Sequence, residues 1–197
     1  LTWVQIEPHL SITGAGAARW VPIRPKTDAA VLLALLHVIL HETDWRRTCD
    51  IPFLESMTNS PYLVGPHGYY LRDPESGKPL VWDLDRDRPV PFDDPRLTSP
   101  ALEGKFLAAG VEVGADNERW SVAEAVRPAF SLLLHHVLPY TPEWAETVAD
   151  VPAATIRRMA REYLEHANVG GTIEVEGTTL PHRPVAVLLG KTVTNGW

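Results

Sequence analysis

The chain has 197 residues, 45% of them hydrophobic and 22% charged, with a formal net charge of -7, a balance that suits one globular domain or one domain carrying a large excursion. The negative charge argues against nucleic acid or an anionic membrane surface as the main partner, because both need concentrated Lys and Arg. With Cys49 as its one cysteine, this segment supplies neither a disulfide framework nor the thiolates of an iron–sulfur cluster or a cysteine-rich zinc site.

An apolar run from Trp3 to Ile6 reads as a strand. Pro8 ends its ladder, so Glu7, His9 and Ser11 sit just past the carboxyl end, where open α/β sheets place their ligands. Gly14-Ala15-Gly16 reads as a flexible loop, since it lacks the final spacing of a dinucleotide fingerprint. Thr27 is a candidate N-cap and Asp28 a first-turn acid for a helix to about His41. That helix is apolar nearly all round, as expected when more than one side is covered.

From 44 to 117 the composition shifts to proline, aspartate and glycine, which reads as an insertion. Within it Tyr69 to Arg72 and Pro79 to Asp83 suggest a hairpin. Asp83, Asp85 and Asp87 mimic the start of a calcium loop, but Arg88 holds the required glycine position, leaving a solvated turn as the reading. Ser121 with Glu124 suggests a capping box and a helix that Pro128 kinks or restarts.

Thr141-Pro142-Glu143 marks another helix start, and Pro152 a further one through Met159 and Leu164. Gly170 to Leu180 reads as a hairpin around Gly177, and Pro184 to Leu189 as a buried strand. If that strand lies parallel to the first, Glu7 to Ser11 and Gly190 to Gly196 face one crevice. The expected fold is α/β: a doubly wound, mostly parallel, Rossmann-like sheet built from 1–43 and 118–197. The 44–117 insertion carries the hairpin.

Several side chains have two readings. His37 and His41, four apart, could chelate a metal or simply pack, and no third ligand has a recognised spacing. Adjacent His135 and His136 point different ways. Cys49 beside Arg46 and Arg47 could have a lowered thiol pKa, or be a packing cysteine. Asp28 could accept two parallel hydrogen bonds from the N1–H and amine of guanine, or only complement a helix dipole. Thr27 is cap or ligand contact, and Lys191 a pyrophosphate contact or a surface lysine. No Ser/His/Asp elbow, P-loop or metalloprotease motif is present.

Taken in order, these segments resemble the molybdopterin oxidoreductases of the dimethyl sulfoxide reductase superfamily. Glu7-Pro8-His9-Leu10-Ser11 matches the family's acidic-Pro-Arg-x-Ser/Thr loop, and Trp20-Val21-Pro22-Ile23-Arg24-Pro25-Lys26-Thr27-Asp28-Ala29-Ala30 its W-x-P-I-R-P-G-T-D-x-A segment. Tyr140 to Ala145, Val151 to Ala160, and Arg183 to Trp197 look like its helix pair and its last strand with a cofactor loop. The stretch from Ser60 to Asp83 looks closest to the phenylacetyl-CoA:acceptor oxidoreductase-like branch. His9 stands where arginine is common and Lys26 where glycine is common, so the phosphate and loop contacts there would not copy the family's exactly.

The resemblance implies a domain binding the guanosine and pyrophosphate end of a molybdopterin guanine dinucleotide, with molybdenum or tungsten. Cofactor-binding positions would be Glu7, His9, Ser11, Thr27, Asp28, Gly190, Lys191, Thr192, Asn195 and Gly196. The protein's metal ligand, any iron–sulfur cluster and the other domains would lie outside this segment, which reads as a piece of a longer enzyme and not catalytically competent alone. Expected partners are the remaining domains of the same polypeptide and an iron–sulfur electron-transfer subunit. The alternative is a non-catalytic nucleotide-binding or assembly module of the same fold. No run reaches the roughly 18 apolar residues of a membrane span. Export stays open, with a cytoplasmic or membrane-associated setting expected ahead of secretion.

Overall fold

The computed structural model describes residues 2–66, 68–108, 112–115, 118–121 and 125–189. The chain divides into two compact units, Leu1–Cys49 with Val137–Trp197 and Asp50–His136.

The first unit opens with β1 (Val4–Glu7), a single turn α1 (Ile12–Ala15) and β2 (Arg19–Pro22). β1 and β2 are parallel, with Val4 opposite Arg19 and Glu7 opposite Pro22. Helix α2 (Asp28–His37) follows and widens into a π-helical turn, Val38–Glu42, before α3 (Trp45–Thr48). Ala30, Val31, Ala34 and His37 of α2 are buried, and only Ala29 and Leu36 are exposed, as its nearly all-round apolar sequence requires.

The second unit begins with α4 (Ile51–Met57) and continues through β3 (Leu63–Val64), β4 (Leu80–Asp83), β5 (Arg88–Pro91) and β6 (Phe106–Leu107). It closes with β7 (Glu112–Ala115), β8 (Glu118–Ser121), β9 (Ala125–Pro128) and α5 (Ala129–Val137). β9 pairs antiparallel with both β3 and β6, while β4–β5 and β7–β8 are hairpins. Its core gathers Leu63, Leu71, Leu80, Trp82 and Val126, and Phe106 stacks on Trp82 at 4.7 Å.

The chain then returns to the first unit with α6 (Pro142–Ala149), α7 (Ala153–Ala167) and the hairpin β10 (Thr172–Val175) and β11 (Thr178–Pro181). Thr141 caps α6 as its sequence predicts, accepting from Trp144 N–H at 3.2 Å. Val21 and Ile23, with Val31 and Ala34 of α2, Ala145 and Ala149 of α6, and Ile156 and Met159 of α7 form this unit's core. The fold is mixed α/β: β1–β2 is parallel, and the other strand pairings among the described residues are antiparallel.

Several expectations are corrected, in whole or in part. Ser121 ends a strand instead of capping a helix, and Pro128 ends β9, so the helix begins only at Ala129; ladder partners at Glu112–Ala115 and Leu63–Val64 override a local capping signal. Pro184 to Leu189 forms no strand, and Leu188 is 98% exposed, because an apolar run becomes a strand only where an edge offers partners. Of the Gly14 to Ala18 segment read as a loop, Gly14 and Ala15 lie inside α1, and only Gly16 to Ala18 connect it to β2. The Asp83 to Asp87 turn is solvated at Asp85 and Asp87 but not at Asp83, which is fully buried and ion-paired with Arg86, itself reaching Asp94. The predicted Tyr69 to Asp83 hairpin is present in shortened form, with an antiparallel bridge between Arg72 and Pro79 flanked by backbone hydrogen bonds from Leu80 to Leu71 and from Asp73 to Lys78, while β4 also pairs with β5.

Candidate functional site

Because β1 and β2 run parallel with Glu7 opposite Pro22, their carboxyl ends share one edge. The loops carrying Glu7 to Ser11 and Ile23 to Asp28 therefore both leave from that edge.

Glu7 is committed to its own loop. Its Oε1 accepts from Ser11 N–H at 2.8 Å and its Oε2 from the Gln5 amide at 3.3 Å. The Ser11 backbone hydrogen bond, foremost, holds the Glu7 carboxyl below its ordinary range. Ser11 caps α1, its Oγ accepting from Gly14 N–H at 3.0 Å. Trp20 Nε1–H donates to the Glu7 carbonyl at 3.2 Å and ties the two strands' ends together. A Cβ at Gly14 would collide with Glu7 Oε1, so the carboxylate keeps this position only beside a glycine. His9 is exposed.

The second loop is fixed by Arg24. Its guanidinium grips both oxygens of Asp150, at 2.8 Å from Nη2, and its Nη1–H donates to the Val148 carbonyl at 3.0 Å. Lys26 then adopts φ +67°, a left-handed conformation that glycine takes without penalty, which accounts physically for the glycine common at this place in the resembled segment. Thr27 does not cap α2: its hydroxyl donates to the Arg24 carbonyl at 2.6 Å. Asp28 heads α2 half-buried, with no hydrogen-bond or ion-pair partner among the described residues.

Thus Glu7, His9 and Ser11 share a sheet edge with the loop of Thr27 and Asp28, and of these Asp28 holds an unengaged carboxylate. Gly190, Lys191, Thr192, Asn195 and Gly196 lie outside the described residues. Trp20 and Arg24 were not singled out from sequence as organising the site; their signal is an aromatic and a cation inside the same quoted segment.

The other candidates have structural explanations. His37 is buried with Nδ1–H donating to the Val137 carbonyl at 3.1 Å, and its ring lies 5.2 Å from that of His41. His135 Nδ1–H donates to the Ser131 carbonyl at 2.8 Å. Among the described residues no three His, Cys, Asp or Glu gather as a metal site. Burial pushes the Cys49 thiol up, whereas Arg46 lies over Trp45 and Arg47 pairs with Asp44. No described helix is long and apolar enough to cross a membrane.

No family model matches the chain. It is 33% identical over 174 residues to a sulfite dehydrogenase polypeptide of Allochromatium vinosum, covering 81% of this chain and 16% of that protein. To the alpha polypeptide of perchlorate reductase from Dechloromonas aromatica it is 27% identical over 197 residues, covering 81% and 20%. To a dimethyl sulfoxide reductase of Haemophilus influenzae it is 28% identical over 158 residues, covering 80% and 13%. The chain therefore spans a fifth or less of these relatives' own length. Three matches to oxidoreductases, one of them named a dimethyl sulfoxide reductase, each cover about four-fifths of this chain and support the dimethyl sulfoxide reductase family as the one to which this segment is related.

Proposed function

We propose that this chain is part of the cofactor-binding region of a molybdopterin-dependent oxidoreductase and holds the guanosine and pyrophosphate end of a molybdopterin guanine dinucleotide. The observation that carries the reading is the shared edge of β1 and β2, with the unengaged Asp28 carboxylate at the head of α2. Guanine presents N1–H and an exocyclic amine side by side, and a carboxylate offers the matching pair of acceptors. Glu7 and Ser11 shape the loop through their mutual hydrogen bonds, and the exposed His9 ring beside them is available to ribose or phosphate. Thr27 shapes the turn before Asp28. Gly190, Lys191, Thr192, Asn195 and Gly196 complete the proposed site by resemblance.

When bound, the metal–pterin group supplies two-electron redox chemistry, with oxygen-atom or hydroxyl transfer as the reaction class. This chain's residues bind and orient it. Molybdenum or tungsten, the phenylacetyl-CoA:acceptor oxidoreductase-like branch and a partner iron–sulfur subunit belong to the same proposal. So does a doubly wound sheet in the longer protein, with Pro184 to Leu189 as a further parallel strand beside β1.

The test is cofactor retention in the longer protein. Asp28→Ala removes both acceptors, which weakens binding by about ten- to a hundredfold for a charge-assisted pair and lowers metal and pterin content after purification. Unchanged content overturns the assignment of Asp28.

A further inference from the structure

The second unit contains a cleft of about 860 Å³, within the roughly 300–1,000 Å³ of small-molecule sites. One wall is the solvent side of α4 with Glu55 and Met57; another is formed by Tyr62 and Phe92, whose rings lie 5.5 Å apart at 52°. Three carboxylates line it, Glu55, Asp93 and Asp94, and among the described lining residues there is no Lys, Arg or His. Two of the three are already engaged: Asp93 pairs with Lys78 at 2.5 Å, and Asp94 with Arg86 at 3.0 Å and Arg96 at 3.4 Å. Glu55 differs from them. It is half-buried and has no hydrogen-bond or ion-pair partner among the described residues.

A carboxylate partly withdrawn from water without a partner loses solvation that a cation would restore. Burial alone raises the Glu55 carboxyl above its ordinary value, the direction expected of a group whose counter-charge is missing. The Tyr62 and Phe92 rings in the same lining add a surface that attracts a cation through the ring quadrupole and accommodates an apolar stem. A phosphate or carboxylate ligand would meet the unpaired Glu55 carboxylate and no cation in the lining.

We propose that this cleft binds a small organic cation, an ammonium or guanidinium group on an apolar or aromatic stem, with Glu55 as its counter-charge and Tyr62 and Phe92 as its walls. The site is independent of the cofactor reading, since every residue it uses belongs to the second unit.

The experiment uses the full-length protein and three probes of one shape: 2-phenylethylammonium, the neutral 2-phenylethanol and the anionic 3-phenylpropionate, titrated by ligand-observed NMR. The expected result is binding of the cation that weakens as salt rises, little binding of the alcohol and none of the anion. Glu55→Gln should weaken the cation by about tenfold and leave the alcohol unaffected, with a circular dichroism spectrum and melting temperature like the parent's. Tyr62→Leu, with Glu55 intact, should weaken all stem binding. Equal binding of cation and alcohol, an unchanged affinity in Glu55→Gln, or no binding of any probe overturns the proposal.

Discussion

Glu7 shows how a residue at a ligand-facing position can serve the loop and not the ligand directly. Its carboxylate holds Ser11 N–H at 2.8 Å, and Gly14 passes so close that a Cβ would collide with Oε1. Gly14→Ala must displace the carboxylate and break that bond, lowering the melting temperature of the chain by about 2–4 °C. In a Glu7→Ala background the same substitution should have little effect, because the clash has gone; equal drops in both backgrounds, read by thermal unfolding, would refute the coupling. Lys26 offers a complementary test, since at φ +67° it carries a left-handed penalty of about 1–2 kcal/mol that glycine lacks. Lys26→Gly should stabilise by up to about 1 kcal/mol and β-branched Lys26→Val should destabilise, in denaturant unfolding. The position of this residue was legible in the sequence as a departure from a glycine, but the reason was not, because a dihedral angle leaves no trace in a single residue's identity.

At the scale of elements, Arg157 of α7 joins Glu42, at the end of the π-helical turn, to Glu143, in the first turn of α6, at 2.7 and 2.6 Å. The Arg157 hydrogen bonds hold the Glu143 carboxyl down at about 2, against an ordinary 4.5. A depressed carboxylate contributes its stability above the unfolded value and loses it as pH falls through the folded one. The chain should therefore lose part of its stability between about pH 4.5 and 2, and Arg157→Met should lose less over that window; parallel pH profiles of denaturant midpoints for the two proteins would count against the link. Helices α2, α6 and α7 were legible because periodicity, Thr141 and the helix-start prolines act within a few residues. β8 and β9 were not, because their partners lie at Glu112–Ala115, Leu63–Val64 and Phe106–Leu107, and local signals at Ser121, Glu124 and Pro128 point the other way. The buried Asp83 was hidden for a related reason: three alternating aspartates read as a wet turn until Arg86 folds back and covers one of them.

At the scale of the whole molecule, the carboxyl end of β1 was legible from one apolar run ended by Pro8, whereas β2 as its parallel neighbour was not, and the described strands do not assemble the sheet that would extend the pair. Val187, Leu188 and Leu189 are 56%, 98% and 56% exposed, although their unbroken apolar sequence is that of a strand covered on both faces. The doubly wound sheet proposed for the longer protein resolves this by giving the run neighbours, and it makes a prediction in two settings. In the 197-residue chain Leu188→Asp replaces an exposed side chain and should leave the melting temperature within about 1 °C of the parent. In the longer protein the same change would bury an unpaired carboxylate in place of a leucine, a loss of about 3 kcal/mol or more, seen as a lower melting temperature and poorer recovery of folded protein. The contrast between the settings isolates the strand, because any intrinsic effect of aspartate on the local chain is common to both. A Leu188→Asp variant as stable as the parent in the longer protein would mean that the run stays at a surface there too. The proposed sheet would then have to find its third strand elsewhere.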